Sequence, residues 1–303
     1  MSAPPRQPRV AFQGERGAFS EEAARALLGE HVALVPRPTF EALFAAVAEG
    51  LADCALAPIE NSLAGSVRRT YDLLLESALH ITGEVVIPIR HHLIGCPGAT
   101  LDALTLVESH PVALAQCERF FAAHPRLRQL ATEDTAGSVA NVVRRGDPTR
   151  AAIASRRAAD IYGGVILRAH LEDHAENYTR FVLLAPAPCA STEADKLSLV
   201  LELPHKPGAL LNALAPFARH ALDLVKIESR PIKGRPWQYR FYLDLRATPA
   251  DANVAAALAE VSTQAAVRVL GQYPAARTDD YAAHTDVDAA GKTVAARAAE
   301  GSL

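Results

Sequence analysis

The sequence predicts an α/β protein: two lobes of alternating strands and helices, followed by a smaller βαββαβ domain. Three observations carry this. Short apolar runs alternate with helical patterns from residue 9 to 186, the rhythm of a mainly parallel, helix-covered sheet. A Pro/Ala/Ser-rich stretch, APAPCASTEADK, then breaks the pattern, with the linker at 187–196. Over 197–272 the order becomes strand, helix, strand, strand, helix, strand, the ferredoxin-like arrangement.

The elements follow in order. Residues 1–8 form a Pro-rich N-terminal extension. RVAFQG (Arg9–Gly14) is a β-like run, and AFSEEAARALLGE reads as a helix with Ser20 as N-cap and acidic residues in its first turn. VALVP is a second strand. TFEALFAAVAEG is a helix started by Thr39 and stopped by Gly50, and ADCALAPIE is a third strand. The alternation resumes after Glu84: VVIPIRHHLIG, LTLVESHP, a helix through Val112–His124, LRQLAT, a helix through Val139–Arg145, AAIASRRAADIYG and a last strand RFVLLAP. Lobe 1 is expected at 9–84 plus 166–186 and lobe 2 at 85–165, with the chain crossing near 81–86 and again near 163–170. LSLVLELP, GALLNALAPFARHA, LDLVKIESRP, QYRFYLDL, ADANVAAALAEVS and AVRVLGQY supply the third unit. Residues 273–303, rich in Ala, Asp and Thr without an apolar period, read as a disordered tail.

Composition narrows the function. Of 303 residues, 31 are Lys or Arg and 34 Asp or Glu, a net charge of −3, so neither nucleic acid nor an anionic membrane is an expected partner. Four cysteines lie far apart with no CxxC pair, which leaves no disulfide framework and no zinc site. No apolar run reaches a membrane span and no leader is visible, so the expected compartment is the cytosol. His170 and His174 in HLEDH lack the Glu a zinc protease places after the first His. His91 and His92 face opposite sides of any strand that holds them.

Several strand-to-helix junctions carry chemistry. QGERGAFS opens a helix whose first N–H groups favour an anion. PIENSLAGSV brings Asn61, Ser62 and Ser66 to the end of a strand, where α/β sheets place ligands. SHP (Ser109–Pro111) and DTAGS (Asp134–Ser138) occupy equivalent junctions of the second lobe, where Thr135 and Ser138 either cap a helix or bind a ligand. Together they suggest a cleft between lobes for a polar small molecule. In ENYTRF, Thr179 and Arg180 precede an apolar strand, and Arg is a fixed cation whose fork matches a carboxylate.

These segments in their order resemble the prephenate dehydratase family: GERGAFS, PIENSLAGSV, SHP, DTAGS, AAIAS and above all NYTRF, followed by PGALLNAL and KIESRP, which resemble the two signatures of the ACT regulatory domain in this family. The resemblance spans about residues 9–272. It implies a two-lobed, periplasmic-binding-protein-like catalytic part with its site in the cleft, and a reaction that turns prephenate into phenylpyruvate, CO₂ and water. Aromatisation drives that reaction, so no cofactor or metal is implied. By resemblance Thr179 is the catalytic residue, hydrogen-bonding the leaving hydroxyl. Arg180 binds a substrate carboxylate or orients Thr179, and Asn61, Ser62, Thr135 and Ser138 line the cleft. Phe181 is expected to pack beneath the site. About eight residues precede the first strand, so no chorismate mutase activity is expected.

The resemblance also implies a homodimer or homotetramer with phenylalanine as allosteric effector, bound through Gly208, Ala209, Leu210 and Asn212 of the first signature and Glu228, Ser229 and Arg230 of the second. Two rivals stand beside this reading: an arogenate dehydratase, acting on the transaminated substrate, and an amino-acid-sensing binding protein without chemistry.

Overall fold

The computed structural model describes residues 7–189, 191–248 and 251–277, so most of the N-terminal extension and the tail after Arg277 lie outside the described residues. The first lobe begins with β1 (Arg9–Gln13), α1 (Phe19–Leu28), β2 (Ala33–Arg37), α2 (Phe40–Ala48), β3 (Cys54–Asn61), the two-residue β4 (Gly65–Ser66), α3 (Arg68–Glu76) and β5 (His80–Pro88). The second holds β6 (His92–Gly95), β7 (Leu106–Ser109), α4 (Pro111–Ala115), α5 (Glu118–Ala123), β8 (Arg128–Ala131), α6 (Thr135–Arg145), β9 (Arg150–Ala154), α7 (Arg156–Tyr162) and β10 (Val165–Arg168). The chain then returns as β11 (Tyr178–Ala185). The C-terminal unit is β12 (Lys196–Glu202), α8 (Ala209–Arg219), β13 (Asp223–Ile232), β14 (Arg235–Arg246), α9 (Ala252–Ser262) and β15 (Ala266–Tyr273).

The lobe 1 sheet runs β2-β1-β3-β11-β5, with β4 paired to β3. The returning β11 is antiparallel to both its neighbours, β3 and β5. The lobe 2 sheet runs β10-β6-β9-β7-β8. The crossings differ from the sequence reading. β5 stays in lobe 1 to Pro88 and β10 belongs to lobe 2, so the chain crosses at 89–91 and at 169–177. The run VVIPIRHHLIG is two strands in two sheets, parted at Ile89–His91, where Pro88, Arg90 and the adjacent histidines interrupt the apolar residues.

Local starts follow ordinary capping chemistry. Thr39 Oγ1 accepts from the Ala42 N–H at 3.1 Å, and Asp134 accepts from the Gly137 N–H at 2.6 Å. Ser20 does not cap α1: it lies buried inside the helix, and the N-cap is Ala18, which has no capping side chain. The expected helix 112–124 is split between Ala115 and Glu118.

The C-terminal sheet has the order β13-β14-β12-β15, antiparallel throughout. Leu199, Leu201, Leu243 and Leu245 on one face pack under α8 and α9. The other face is not solvated. Val200, Tyr242, Leu270 and Tyr273 join Leu43, Leu74, Ile81 and Leu184 of lobe 1 in one apolar core. The Tyr242 hydroxyl donates to the Tyr71 carbonyl at 3.1 Å. At Gly271 the two backbones touch: a Cβ there would stand 2.1 Å from the Ile81 carbonyl oxygen, a distance no side chain tolerates. Among the described residues no helix is long and apolar enough to cross a membrane.

Candidate active site between the lobes

A cleft of about 440 Å³ opens where the carboxyl ends of β1 and β3 meet the starts of α4 and α6. Its walls include Phe19, Asn61, Ser66, His91, His110, Gln116, Glu133, Thr135, Thr179 and Phe181. Thr179 enters it from β11, directly opposite Asn61 on β3. The Asn61 side-chain amide donates to Thr179 Oγ1 at 2.9 Å and to Asn177 Oδ1 at 2.8 Å. Because Oγ1 accepts this bond, the threonine's own O–H remains free to donate into the cleft. Asn61 is fixed in turn, since its Oδ1 accepts from the N–H groups of Leu63 and Ala64 at 3.0 and 2.8 Å.

Gln116 continues the polar wall. Its Oε1 accepts from Asn177 Nδ2 at 2.9 Å and lies 2.9 Å from His91 Nε2, so the neutral His91 carries its proton on Nε2. Burial lowers the His91 pKa and favours that neutral form. His110 starts α4, its Nδ1 accepting from the Val112 N–H at 3.2 Å, and burial lowers its pKa too.

Three expectations about the cleft need correction. Arg180 is not in the cleft. Neighbouring residues on a strand face opposite sides, so Thr179 and Phe181 point into the cleft while Arg180 points beneath the sheet. There its Nε lies 2.9 Å from Glu84 and its Nη2 2.7 Å from Asp244 of β14. Ser62 faces away from the cleft, donating to the Glu176 carbonyl at 2.8 Å and accepting from the Tyr178 N–H at 2.9 Å. Ser138 is buried within α6 and donates back to the Asp134 carbonyl at 2.8 Å. Glu228 and Arg230 face lobe 1: Glu228 accepts from Ser66 Oγ at 2.9 Å, and Arg230 pairs with Asp72 at 3.0 Å. Ser229, between them, is exposed on the opposite face of β13.

Thr179, Asn61 and Thr135 do meet in the cleft, with Phe181 as a buried wall. Gly208 sits in the left-handed region (φ 78°) and starts α8, with Ala209, Leu210 and Asn212 in its first turn. The sequence reading missed Gln116, His91 and Glu133. Gln116 looked like the middle of a helix, and only its polarity amid LAQCERFF marked it.

The family model described as prephenate dehydratase matches residues 10–188, which hold this whole cleft. The chain belongs to the prephenate dehydratase family. Among curated members, an arogenate dehydratase/prephenate dehydratase of Arabidopsis thaliana is 42% identical, over 88% of this chain and 72% of its own. The crystal structure of a prephenate dehydratase from Arthrobacter aurescens in complex with L-Phe superposes with a TM-score of 0.81 at 32% identity, covering 90% of this chain and 91% of that one. A quorum quenching acylase, GqqA, superposes with a TM-score of 0.81 at 33% identity over 89% of this chain and 99% of that one. The two lobes are periplasmic-binding-protein-like, as the fold of such family members is.

Proposed function

We propose that the cleft converts prephenate to phenylpyruvate, CO₂ and water, in the cytosol, on the route to phenylalanine. The observation that carries this is the Thr179 hydroxyl in the cleft wall, whose oxygen accepts from the Asn61 amide and whose O–H is left to donate. Prephenate bears a ring carboxylate and, para to it, a hydroxyl. The C–C bond to the carboxylate breaks, its electron pair enters the ring, and the C–O bond releases the hydroxyl. The dianion takes up one proton overall and gives phenylpyruvate, CO₂ and water. Thr179 is too weak an acid to surrender its proton first. Its hydrogen bond instead strengthens as charge grows on the departing oxygen, the differential binding that lowers a barrier.

No Lys or Arg lines the cleft among the described residues. The α1 start supports a different arrangement: Phe19 and Ser20 line the cleft beyond an N-cap without a capping side chain, and their N–H groups suit an anion. Arogenate is the second reading, and Glu133 and Asp134 in the cleft wall favour it by offering partners for an ammonium. Measuring kcat/KM on both substrates decides between them: absorbance of phenylpyruvate reports one, release of phenylalanine the other. Turnover of neither overturns the dehydratase reading and leaves a binding protein.

The C-terminal unit has the order of an ACT domain, and the Arthrobacter relative was crystallised with L-Phe. This supports feedback by phenylalanine at the α8 start, from Gly208 to Asn212. Homo-oligomerisation through the open edge of β13 is supported by Val225 and Ile227, exposed along it, and by Leu211, 72% exposed.

A further inference from the structure

The catalytic pair has an underside. In the β3–β11 pairing Thr179 lies opposite Asn61, and the next pair is Arg180 opposite Glu60. The first pair faces the cleft and the second faces the C-terminal sheet. Arg180 Nη1 stands 3.6 Å from Glu60 Oε2. Each member is also gripped from that sheet: Lys226 Nζ on β13 lies 2.7 Å from Glu60 Oε1, and Asp244 Oδ2 on β14 lies 2.7 Å from Arg180 Nη2. Glu84 of β5 closes the group, 2.9 Å from Arg180 Nε and bonded through both oxygens to Lys196 Nζ at 2.9 Å. Three cations thus face three carboxylates. The Arg180, Glu84 and Asp244 side chains are 12%, 3% and 9% exposed, so these pairs are little screened, and losing one partner strands a buried charge.

We infer that Arg180 and Glu60 are positioning residues through which the C-terminal sheet, by way of Asp244 and Lys226, sets the register in which Asn61 and Thr179 meet. Neither touches substrate. Each is one peptide unit from a cleft residue on the same strand, so a displacement of its backbone shifts that residue as well. Misplacement of a reacting group by about an ångström costs on the order of a hundredfold in rate. The inference rests on the dehydratase reading of the cleft.

The test uses the full chain with Asp244→Asn, Lys226→Met and, as comparison, Arg268→Gln. Arg268 joins the same two units elsewhere, donating to the Leu75 and Ser77 carbonyls of the α3 end at 2.7 Å each. With Asp244→Asn, kcat is expected to fall about tenfold and KM to stay within about twofold. Lys226→Met, at the rim of the group, lowers kcat about threefold and serves if Asp244→Asn does not fold. Arg268→Gln lowers the melting temperature and leaves kcat unchanged. A wild-type kcat in both Asp244→Asn and Lys226→Met, or kcat losses that follow the melting temperature in all three variants, overturns the positioning role. An inactive wild-type chain instead overturns the dehydratase reading beneath it.

Discussion

Thr179 and Arg180 are neighbours with unrelated jobs, and the difference is one step of strand pleat. The hydroxyl of Thr179 faces the cleft, while the guanidinium of Arg180 is held charged against burial by Asp244 and Glu84 on the other side of the sheet. Thr179→Val keeps the shape and removes the donor. Asn61 Nδ2 still has Asn177 Oδ1 and the Tyr178 carbonyl, so nothing buried is orphaned and the melting temperature stays near wild type. The expected loss in kcat is on the order of a hundredfold or more, read by phenylpyruvate absorbance; full activity would remove Thr179 from the chemistry. At this scale the sequence was partly readable. PIENS marked Asn61 because polar residues at a strand end stand out from the apolar run behind them, whereas Thr179 was singled out by the family resemblance of NYTRF. The same strand argument, applied one residue further, excludes Arg180 from the cleft. Gln116 was unreadable because its role depends on where α4 stops, and no Gly or Pro announces that stop.

Among the elements, α1 does more than cover a sheet. Its Glu21 is fully buried and meets Arg16, Arg25 and, across the lobe boundary, Arg157 of α7 at 2.9 Å. Burial alone would raise the Glu21 pKa, but the Gly17 N–H and the three guanidinium groups bring it down to about 2 from the usual 4.5. A carboxylate whose folded pKa is depressed stabilises the fold above its unfolded pKa, and that stabilisation disappears as the pH falls from about 4.5 to about 2. Glu21→Gln is expected to cost about 3 kcal/mol at neutral pH, since it leaves three arginines around an amide. The melting-temperature gap between Glu21→Gln and wild type should close across that acid window; a gap independent of pH would mean Glu21 is not ionised in the folded protein. The helix itself was legible in its composition, with acidic residues in the first turn. Its bond to α7, 136 residues along the chain, was not, because no local pattern records which lobe surface α1 will meet.

For the molecule as a whole, the βαββαβ order was legible from periodicity, but its attachment was not. The linker composition suggested a separable unit, whereas Tyr242 and Tyr273 lie in the same core as Leu43 and Leu74 of lobe 1. Removing the C-terminal unit would therefore uncover lobe 1, and regulation is better tested in the full chain. Ile227→Lys places a charge on the open edge of β13; light scattering should show a smaller species, and inhibition by phenylalanine should weaken with it. An unchanged mass would overturn an interface between copies at β13. The touch between Gly271 and Ile81 has a practical corollary for anyone building chimeras. A βαββαβ cassette borrowed from a relative, with any side chain in place of that glycine, would be propped away from its host and would carry Asp244 with it. On the positioning role inferred for Asp244, such a graft would give a slower enzyme, and the remedy is to carry the glycine across with it.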